Sequence, residues 1–396
     1  MTFGDERPPS LSKLFEPPDG HVGVFGWVCG YSADGLFLNA AAERFTGRVR
    51  RQRASAGDIA LAAILDPGEG RISPVQVPGV LHLPLSPLGS GLMHAKVALL
   101  GFRTIGSADA WRVRLIVSTG NWTRQTLEES LDLAWTVEIG HDEVGLGTDD
   151  SAQGAADIAA AADFMRHLRE RAFLSPLHAG SAITREASKR LDAWIGRIAE
   201  GVPKGVEPRF IDSRSEALLP QIVSRIGTAR RNHLSIGSGF FEGGNDTKMP
   251  PALDEIVKAL RGTLTRKAEI DLYVEPQDCQ AIAVAHEAID AAGIAIRKAA
   301  APAGPPRRLH AKFIFGAQCR SNSRRCLDAW VYLGSGNMTR PGMLLAAEHG
   351  GNLEAGIVIR PDDLVWYEDD KDAVTPVCRL LPLDWNKAEV DPGDFQ

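Results

Sequence analysis

The chain has 396 residues, of which 44% are hydrophobic and 24% are charged, and its formal net charge is −6. This length predicts two domains of ordinary size or one double domain, and the composition is typical of a globular protein with a substantial core. The acidic balance excludes a generally basic nucleic-acid coat but is compatible with a local basic groove.

The N-terminal residues show no basic segment followed by an apolar one, so the sequence predicts no secretory signal. The longest early apolar run, Val22–Cys29, is far shorter than the roughly 20 residues of a membrane-spanning helix. We therefore expect a cytoplasmic protein without stable membrane association. The five cysteines are scattered, and none has zinc-ligand spacing to another, so reduced thiols without a metal or other cofactor are the expectation.

Short apolar runs alternate with helical patterns along the chain. The predicted strands are Val22–Cys29, Ile59–Leu65, Arg112–Ser118, His233–Phe241, Ile270–Val274 and Ala329–Leu333. The predicted helices are Leu36–Phe45, Ser151–Arg171, Ala182–Ala199 and Ala252–Leu260. Continuous apolar strands between helices are typical of parallel strands covered on both faces, so the sequence predicts an α/β fold with mainly parallel sheets flanked by helices.

An internal repeat divides the chain. A His-Ala-Lys sequence begins at His94 and recurs at His310, 216 positions later. The further identities at this offset are Gly120 and Gly336, Asn121 and Asn337, Thr123 and Thr339, and Arg124 and Arg340. One His-x-Lys alone carries little information, whereas coincident identities across a window of about 30 residues indicate two copies of one unit.

The repeat predicts a domain plan with two pseudo-symmetric halves. We expect a polar N-terminal segment at residues 1–20, a first half at 21–148 and a helical connection at 149–206. A second half follows at 207–361, and an acidic, solvated tail at 362–396. Because each half carries one set of reactive side chains, we expect the halves to pack around a shared central cleft.

The repeated residues suit a phosphoryl group. On a strand, His and Lys two positions apart lie on the same face, so we expect His94 with Lys96 and His310 with Lys312 to point together. Each copy adds an Asn after the next strand, at Asn121 and Asn337. Lys and Asn can bind non-bridging phosphate oxygens, while one imidazole attacks phosphorus and a second protonates the leaving oxygen.

These paired His-x-Lys and Gly-Asn elements resemble the motifs of the phospholipase D superfamily. That superfamily usually has an Asp five residues after the Lys, and this chain has Gly101 and Ala317 there. The departure resembles the His-Lys-Asn branch exemplified by tyrosyl-DNA phosphodiesterase. The resemblance implies an enzyme, a phosphodiesterase or hydrolase, that acts through a covalent phosphohistidine without a metal.

The resemblance also implies two carboxylates that orient the histidines. Asp132 and Glu354 stand at positions similar to the family's partners, and Glu138 is an alternative because it lies at the 216 offset from Glu354. We favour Asp132 because its local pattern, Ser-Leu-Asp-Leu, matches Asn-Leu-Glu-Ala around Glu354. By the resemblance, Glu354 would pair with the nucleophile His94, and Asp132 with the general acid His310.

The substrate is less well defined by the sequence. Basic residues that suggest nucleic-acid contacts are Arg48, Arg50, Arg51, Arg53, Arg307, Arg308, Arg320, Arg324 and Arg325. Trp122 and Phe240 are candidates for base stacking, and Thr123 and Thr339 for a hydroxyl at the site or for helix capping.

We therefore predict a nucleic-acid phosphodiesterase, either a nuclease or an end-processing enzyme. The alternatives are a phospholipid hydrolase or transphosphatidylase, and a catalytically silent nucleic-acid-binding module. Since one chain carries both sets of residues, catalysis by a monomer is possible.

Overall fold

The computed structural model describes residues 10–89, 91–107, 109–243, 248–300, 307–320, 324–366, 375–383 and 388–395. The chain divides into two compact units. The first unit comprises Pro9–Glu128 and Ala134–Asp212, and the second comprises Glu129–Leu133 and Ser213–Gln396. Within the described residues, no helix combines the length and apolarity that crossing a membrane requires.

The strands and helices, numbered in chain order, have the following bounds. The strands are β1 (His21–Gly30), β2 (Leu61–Leu65), β3 (Val80–Pro84), β4 (Val97–Thr104), β5 (Trp111–Ser118), β6 (Ser130–Leu131), β7 (Ala134–Gly140), β8 (Phe210–Asp212), β9 (Arg231–Ser238), β10 (Leu264–Val274), β11 (Ile294–Lys298), β12 (Arg308–Leu309), β13 (Phe313–Cys319), β14 (Arg325–Gly334), β15 (Ala355–Ile359), β16 (Leu364–Val365) and β17 (Thr375–Pro376). The helices are α1 (Gly35–Thr46), α2 (Arg50–Ala56), α3 (Gln125–Glu128), α4 (Asp149–Arg171), α5 (Ser175–His178), α6 (Ala182–Glu200), α7 (Leu218–Arg225), α8 (Pro251–Arg261), α9 (Gln280–Val284), α10 (His286–Ala291) and α11 (Val377–Leu380).

The long helices of the first unit begin at capping side chains. Asp34 accepts a hydrogen bond from the Phe37 N–H at 2.6 Å at the start of α1. Ser181 accepts one from the Thr184 N–H at 3.1 Å at the start of α6. These bonds satisfy amide groups that the first turn of a helix leaves without an intrahelical partner, which explains why the helices begin there.

The sheet of the first unit is covered on both faces. Its strand order is β3-β2-β1-β4-β5-β7. On one face, Leu100 of β4 belongs to a buried cluster with Phe37 and Leu38 of α1. Gly101, the next residue, faces α6 on the other side, where an added Cβ would lie 2.8 Å from Leu191 Cδ1. Successive residues of a strand point to opposite faces, so α1 and α6 cover opposite sides.

The second unit repeats this topology. Its sheet contains the order β11-β10-β9-β13-β14-β15, which corresponds strand for strand to that of the first unit. In both units the outer three strands are parallel, and the next strand, β4 or β13, pairs antiparallel with β1 or β9. The α/β class and the repeat are confirmed. Each sheet is mixed rather than mainly parallel, because the strand after each His-x-Lys reverses direction.

Glu129–Leu133 lie in sequence between strands of the first unit but belong to the second unit. Ser130 and Leu131 form β6, which pairs in parallel with Arg308 and Leu309 of β12. The two strands are short, and the last residue of β6 is 177 positions before the first residue of β12. This pairing therefore depends on the tertiary fold, and it positions the residue that follows β6, Asp132.

The prediction of a solvated C-terminal tail is wrong for the residues described. Leu364 and Val365 form β16, which pairs antiparallel with β14. Leu364, Val377, Leu381 and Leu383 are buried in the core cluster of the second unit. The acidic composition obscured these spaced apolar residues, which supply a strand and part of a core. Residues 367–374 and 384–387, which include half of the tail's acidic residues, lie outside the described part.

Candidate active site

The first His-x-Lys precedes its strand. His94 and Lys96 lie in an irregular segment that ends where β4 begins at Val97, so the expectation of a pair on a strand is wrong by one to three residues. Lys96 is fully buried, and its Nζ donates a hydrogen bond to the His94 carbonyl at 2.7 Å. The ammonium group thus fixes the backbone of the histidine beside it.

Two residues near His94, Asp66 and Tyr31, were not predicted as site residues from the sequence. The Asp66 carboxylate accepts a hydrogen bond from the Met93 N–H at 2.8 Å, directly before the histidine. The Tyr31 and His94 rings have centroids 5.7 Å apart. Burial, the negative charges of Glu69 and Asp66, and a hydrogen bond to Glu69 raise the pKa of Tyr31. The only sequence signal was that Asp66 and Tyr31 follow the ends of the parallel strands β2 and β1.

Asn121 lies in the turn after β5. The Ser118 hydroxyl holds this turn through hydrogen bonds with the Gly120 carbonyl at 2.9 Å and the Gly120 N–H at 3.1 Å. The Asn121 Oδ1 atom is buried and makes no hydrogen bond within the described part of the chain. Thr123 shares a 3.2 Å hydroxyl contact with Thr126, which in turn donates to the Asn121 carbonyl. Thr123 therefore supports the turn.

The second half-site joins a histidine, a lysine and an aspartate. His310 Nδ1 lies 2.9 Å from Asp132 Oδ1. The Lys312 Nζ atom lies 3.3 Å from Nδ1 and 3.2 Å from Nε2 of the same ring. Lys312 and Asp132 are buried, whereas 46% of the His310 side chain is exposed. The His310 imidazole is thus accessible to solvent, whereas the charged groups of Lys312 and Asp132 beside it are buried.

Backbone pairing positions Asp132 at His310. The Leu131 carbonyl accepts hydrogen bonds from the N–H groups of His310 at 3.0 Å and Ala311 at 2.7 Å. The Ser130 hydroxyl donates to Asp132 Oδ2 at 2.6 Å, so both oxygens of this carboxylate have partners. Because β6 and β12 are hydrogen-bonded here, the Asp132 side chain is held next to the His310 imidazole.

The surroundings shift the pKa of two groups in this half-site. Burial acts to raise the pKa of Asp132, but hydrogen bonds from His310 and Ser130 and the positive charges of His310 and Lys312 outweigh it and hold the pKa below its usual range. Burial lowers the pKa of Lys312 to about 8, although the charges of Asp132 and Glu354 oppose this effect. Asp132 is therefore ionised at neutral pH, whereas Lys312 is close to losing its proton.

Glu354 is also buried in the second unit. Its Oε2 accepts a short hydrogen bond from the Ser335 hydroxyl, and its Oε1 accepts one from the Asn352 side-chain amide at 3.2 Å. The Ser213 hydroxyl oxygen accepts a hydrogen bond from the backbone N–H of Glu354 at 2.7 Å. Ser335 precedes Gly336 and Asn337, so the carboxylate is tied to the turn that carries the second Asn.

The close packing of this turn explains its glycine. A Cβ at Gly336 would lie 2.8 Å from the Gly342 carbonyl and 2.9 Å from Leu218 Cδ1. Thr339, the predicted hydroxyl or cap, accepts a hydrogen bond from the Gly342 N–H at 3.1 Å and so caps the next helical turn. Asn337 lies between these two anchored residues.

Glu138 does not contact a motif histidine within the first unit. Its Oε1 accepts from Arg112 Nε at 2.6 Å, and its Oε2 accepts from Arg114 Nε at 2.9 Å. Both superfamily aspartate positions face apolar cores: Gly101 lies against Leu191, and Ala317 is fully buried. An aspartate at either position would enter a hydrophobic environment.

Trp122 is not available for base stacking. It is fully buried, and its Nε1 donates to the Cys29 carbonyl at 2.7 Å. Its ring packs against Phe15 and Phe37, so it belongs to the core. Phe240 is 51% exposed directly after β9 and remains a stacking candidate.

The predicted basic residues have different environments. Arg53 is 2% exposed and donates to the Pro78 and Arg48 carbonyls, so it is structural. Burial lowers the pKa of Arg307. Arg308 is exposed, and its guanidinium lies 2.5 Å from Gln277 Oε1 and 3.8 Å from Asp278 Oδ2. Only part of the predicted basic surface is therefore free for a ligand.

One group of possible metal ligands occurs among the described residues. Ligand atoms of His233, Glu269 and Asp271 lie within 4.8 Å of one another. The Arg297 guanidinium donates to Asp271 at 3.0 Å, and His233 Nε2 lies 2.8 Å from the Ser235 hydroxyl. Because a cation already neutralises Asp271, these residues are better suited to an internal ion-pair network than to a metal.

Comparison with known proteins places this geometry in a known fold. No protein-family model and no curated protein matches the chain. A crystal structure of yeast tyrosyl-DNA phosphodiesterase aligns with a TM-score of 0.53 and 11% identity over 96% of this chain and 95% of that chain. A mutant of the same enzyme aligns with a TM-score of 0.55 and 12% identity over the same shares. The resemblance predicted from the motifs is confirmed at the level of the fold: the chain has the fold of tyrosyl-DNA phosphodiesterase.

Proposed function

We propose that the protein is a metal-independent phosphodiesterase that acts on nucleic acid through a covalent phosphohistidine. The observation that carries this proposal is the second half-site, where a buried lysine and a buried aspartate flank one accessible imidazole. Burying an ammonium group is costly unless an opposite charge compensates for it. Asp132 and Glu354 offset this cost for Lys312, and a phosphodiester would add further negative charge beside the imidazole. Its non-bridging oxygens match the donors of Lys and Asn.

The proposed reaction has two steps. A ring nitrogen of His94 attacks phosphorus, so an N–P bond forms as the bond to the leaving oxygen breaks, and His310 gives its proton to that oxygen. Water then attacks phosphorus and gives a proton to His310, the N–P bond breaks, and His94 is free again. Each half provides one of the two histidines that this reaction requires.

The other site residues stabilise charge and orientation in this mechanism. Lys96, Lys312, Asn121 and Asn337 would neutralise the oxygens that gain charge in the transition state. Asp132 would hold the His310 ring with one nitrogen toward the carboxylate and the other toward the leaving group, as carboxylates do for catalytic histidines. Glu354 would do the same for His94.

The nucleic-acid substrate is proposed on two grounds. The yeast protein with this fold is named for a phosphodiester between tyrosine and DNA. Phe240 is exposed, and the residue before it, Gly239, lies close to His310. A Cβ at Gly239 would be 2.3 Å from the Leu309 carbonyl and 3.1 Å from His310 Cα. An exposed aromatic ring near a phosphate site can stack a base.

Turnover assays in EDTA test the proposal. The substrates are labelled single- and double-stranded DNA, RNA, a 3′-tyrosyl oligonucleotide and phosphatidylcholine vesicles. We expect cleavage of at least one nucleic acid, its loss in His94→Ala, and an acid-labile phosphoenzyme that accumulates in His310→Ala. His178→Ala, an exposed histidine on α5, is the matched control. Turnover of phosphatidylcholine without cleavage of any nucleic acid would contradict the proposed substrate. Full activity of His94→Ala would contradict the proposed nucleophile.

A further inference from the structure

Strand β10 leaves its sheet near its N-terminal end. Leu264 pairs with Arg231 of β9, and the next paired residue, Glu269, is opposite His233. Pairing with β11 begins only at Ile270. Thr265–Ala268 therefore lie outside the ladder on both sides and form an irregular bulge of four residues. Such bulges recur at binding sites because they redirect side chains.

The bulge lines a basic cavity of about 350 Å³. Three arginines from different segments face it: Arg230 before β9, Arg261 at the end of α8, and Arg266 in the bulge. The other lining residues are Gly262, Leu264, Thr265, Ala268 and Ile270, none of which is acidic. Within the described part of the chain, no carboxylate forms an ion pair with these arginines, and the nearby Glu269 faces His233 at 3.7 Å.

We propose that this cavity binds a phosphate group. Three arginines and no acidic residue line the cavity, so its local charge is positive and favours an anion. Arg261 also donates a hydrogen bond to the Ala292 carbonyl at 3.5 Å. Arginine presents planar N–H groups that match phosphate oxygens in pairs and remains charged at all physiological pH values. The Thr265 hydroxyl adds a neutral donor.

This phosphate site is separate from the candidate active site within the second unit. The cavity lies at the start of β9, whereas Gly239, just beyond its end, lies against His310. Arg230 and Gly239 are nine residues apart, which corresponds to about 30 Å along an extended strand. A bound phosphate cannot be the reacting one. The ligand is either a distant phosphate of the nucleic-acid substrate or a separate phosphate ester. The first of these alternatives rests on the proposed function.

Binding measurements on the full-length protein distinguish these sources. The test variant is Arg230→Gln/Arg261→Gln/Arg266→Gln. The charge-matched control is Lys13→Gln/Lys189→Gln/Lys204→Gln, three exposed residues outside the cavity. Calorimetry with inorganic phosphate should show at least a 10-fold loss of affinity in the test variant only. Circular dichroism and the midpoint of urea unfolding verify that both variants fold.

Oligonucleotide length identifies the ligand. If the site holds a distant substrate phosphate, a single-stranded 20-mer should bind the test variant at least 10-fold more weakly, with a smaller salt dependence, while a 4-mer is unaffected. If the test variant loses affinity for inorganic phosphate but binds the 20-mer as wild type does, the site binds a separate phosphate ester. Equal binding of inorganic phosphate to wild type, test and control variants would overturn the proposal. Because none of these readouts is catalysis, they are independent of the proposed reaction.

A second, independent observation concerns two cysteines. Cys319 of β13 is directly opposite Cys326 of β14 in the antiparallel ladder, and their Sγ atoms are 3.8 Å apart. Opposed residues of such a ladder have Cα separations within the range that disulfides require. We infer that Cys319 and Cys326 form a reversible disulfide, a modification that the sequence spacing did not suggest.

The two thiols have different roles in this oxidation. A hydrogen bond to Cys319, burial and the charge of Cys319 raise the pKa of the Cys326 thiol, so the half-exposed Cys319 reacts first. Its thiolate attacks a low-molecular-weight disulfide such as oxidised glutathione, forms a mixed disulfide and releases one glutathione thiolate. Cys326 then loses its proton and attacks the Cys319 sulfur, which releases the second glutathione and completes the bond.

Mass spectrometry tests the disulfide. The native protein is incubated with oxidised glutathione, alkylated and digested with trypsin, which cleaves after the arginines between the two cysteines. We expect the Cys319 and Cys326 peptides to remain linked and to separate after reduction. Cys326→Ser should retain glutathione on Cys319, whereas Cys319→Ser should leave Cys326 unmodified. Recovery of both cysteines as separately alkylated peptides, or of Cys326 as the glutathionylated residue, would contradict the inference.

Discussion

The Glu275 carboxylate accepts a hydrogen bond from the backbone N–H of Leu309, the residue before His310, at 2.9 Å. Asp66 does the same for Met93, the residue before His94. Each acid follows the end of a parallel strand, β10 or β2, and precedes a proline. In both units, therefore, an acid at the sheet edge anchors the segment that enters the His-x-Lys motif.

Loss of this anchor should impair turnover. A hydrogen bond to a charged group contributes about 1.5–3 kcal/mol, so misplacement of His310 in Glu275→Ala should lower kcat by roughly 10- to 100-fold. Glu275→Gln retains an acceptor oxygen and should retain most of the activity. Glu287→Ala, an exposed acid on α10, is the control. Equal kcat values for Glu275→Ala and the control would argue against a positioning role.

Alkaline pH should have opposite effects on activity and stability through Lys312. Its pKa in the folded protein is about 8, so turnover should fall as pH rises above this value and the ammonium is lost. In the unfolded chain the lysine pKa is about 10.4, so between these values the unfolded state binds more protons and the free energy of unfolding increases with pH. Burial raises the pKa of the Cys29 and Cys279 thiols to about 12, so they make the opposite contribution to stability over this range. The Lys312 contribution is therefore measured as the difference in urea unfolding between wild type and Lys312→Met from pH 7 to 10.5, and kcat is measured over the same range.

Two variants isolate this lysine. Lys312→Met should lose the alkaline increase in stability together with activity, whereas Lys189→Met, an exposed lysine, should retain both trends. Lys312→Arg keeps its charge, so any remaining activity should show no decline near pH 8. An identical alkaline profile for Lys312→Arg and wild type would assign the titration to another group.

Acid should destabilise the protein through Asp132. Its folded-state pKa lies below the value of about 3.9 in an unfolded chain. Its contribution to stability is therefore fully present above that value and is lost as pH falls toward the folded-state pKa. Asp132→Asn should be less stable than wild type at pH 7, with a difference that narrows below about pH 4. Urea unfolding at pH 7, 5, 4 and 3 measures this difference, and a constant gap would contradict it.

The two aromatic candidates should respond differently to truncation. Trp122 is a core residue, so Trp122→Ala should lower the free energy of unfolding by about 3–5 kcal/mol. Phe240→Ala removes an exposed ring and should change stability by less than about 0.5 kcal/mol while weakening the binding of single-stranded DNA. Chemical denaturation and fluorescence anisotropy separate the two effects. Unchanged DNA affinity in Phe240→Ala would remove this residue from the substrate site.

An aspartate at Gly101, the position where the phospholipase D motifs carry one, should destabilise the protein. A Cβ at Gly101 would lie 2.8 Å from Leu191 and 3.1 Å from Trp194, and the carboxylate would be buried without a partner. We expect Gly101→Asp to cost more than about 3 kcal/mol or to prevent folding. Ile105→Asp, at a position 63% exposed, is the control. If Gly101→Asp is as stable as wild type, the prediction is wrong, and α6 moves to accommodate the new side chain.

Local patterns account for the features that the sequence predicted well. The strands at Val22–Cys29 and Arg112–Ser118 and the helices at Ser151–Arg171 and Ala182–Ala199 overlap β1, β5, α4 and α6. The apolar patterns of these elements are local in sequence, so they can be recognised without knowledge of the segments that pack against them. The two His-x-Lys and Gly-Asn elements were found because repetition in one chain is visible without any knowledge of contacts.

The sequence by itself determined the repeat, the α/β class and the chemical character of the two half-sites. The motif resemblance predicts Asp132 beside His310, whereas only the tertiary structure shows how this contact is made and which other residues anchor the two motifs. Asp132 reaches His310 because β6 pairs with β12, Glu275 and Asp66 anchor segments remote in sequence, and Trp122 is buried beneath α1. Each of these relationships joins residues more than 25 positions apart, from Asp66 and Met93 to Asp132 and His310. Periodicity records only which face of an element is buried, so pairings between distant segments depend on the folded chain.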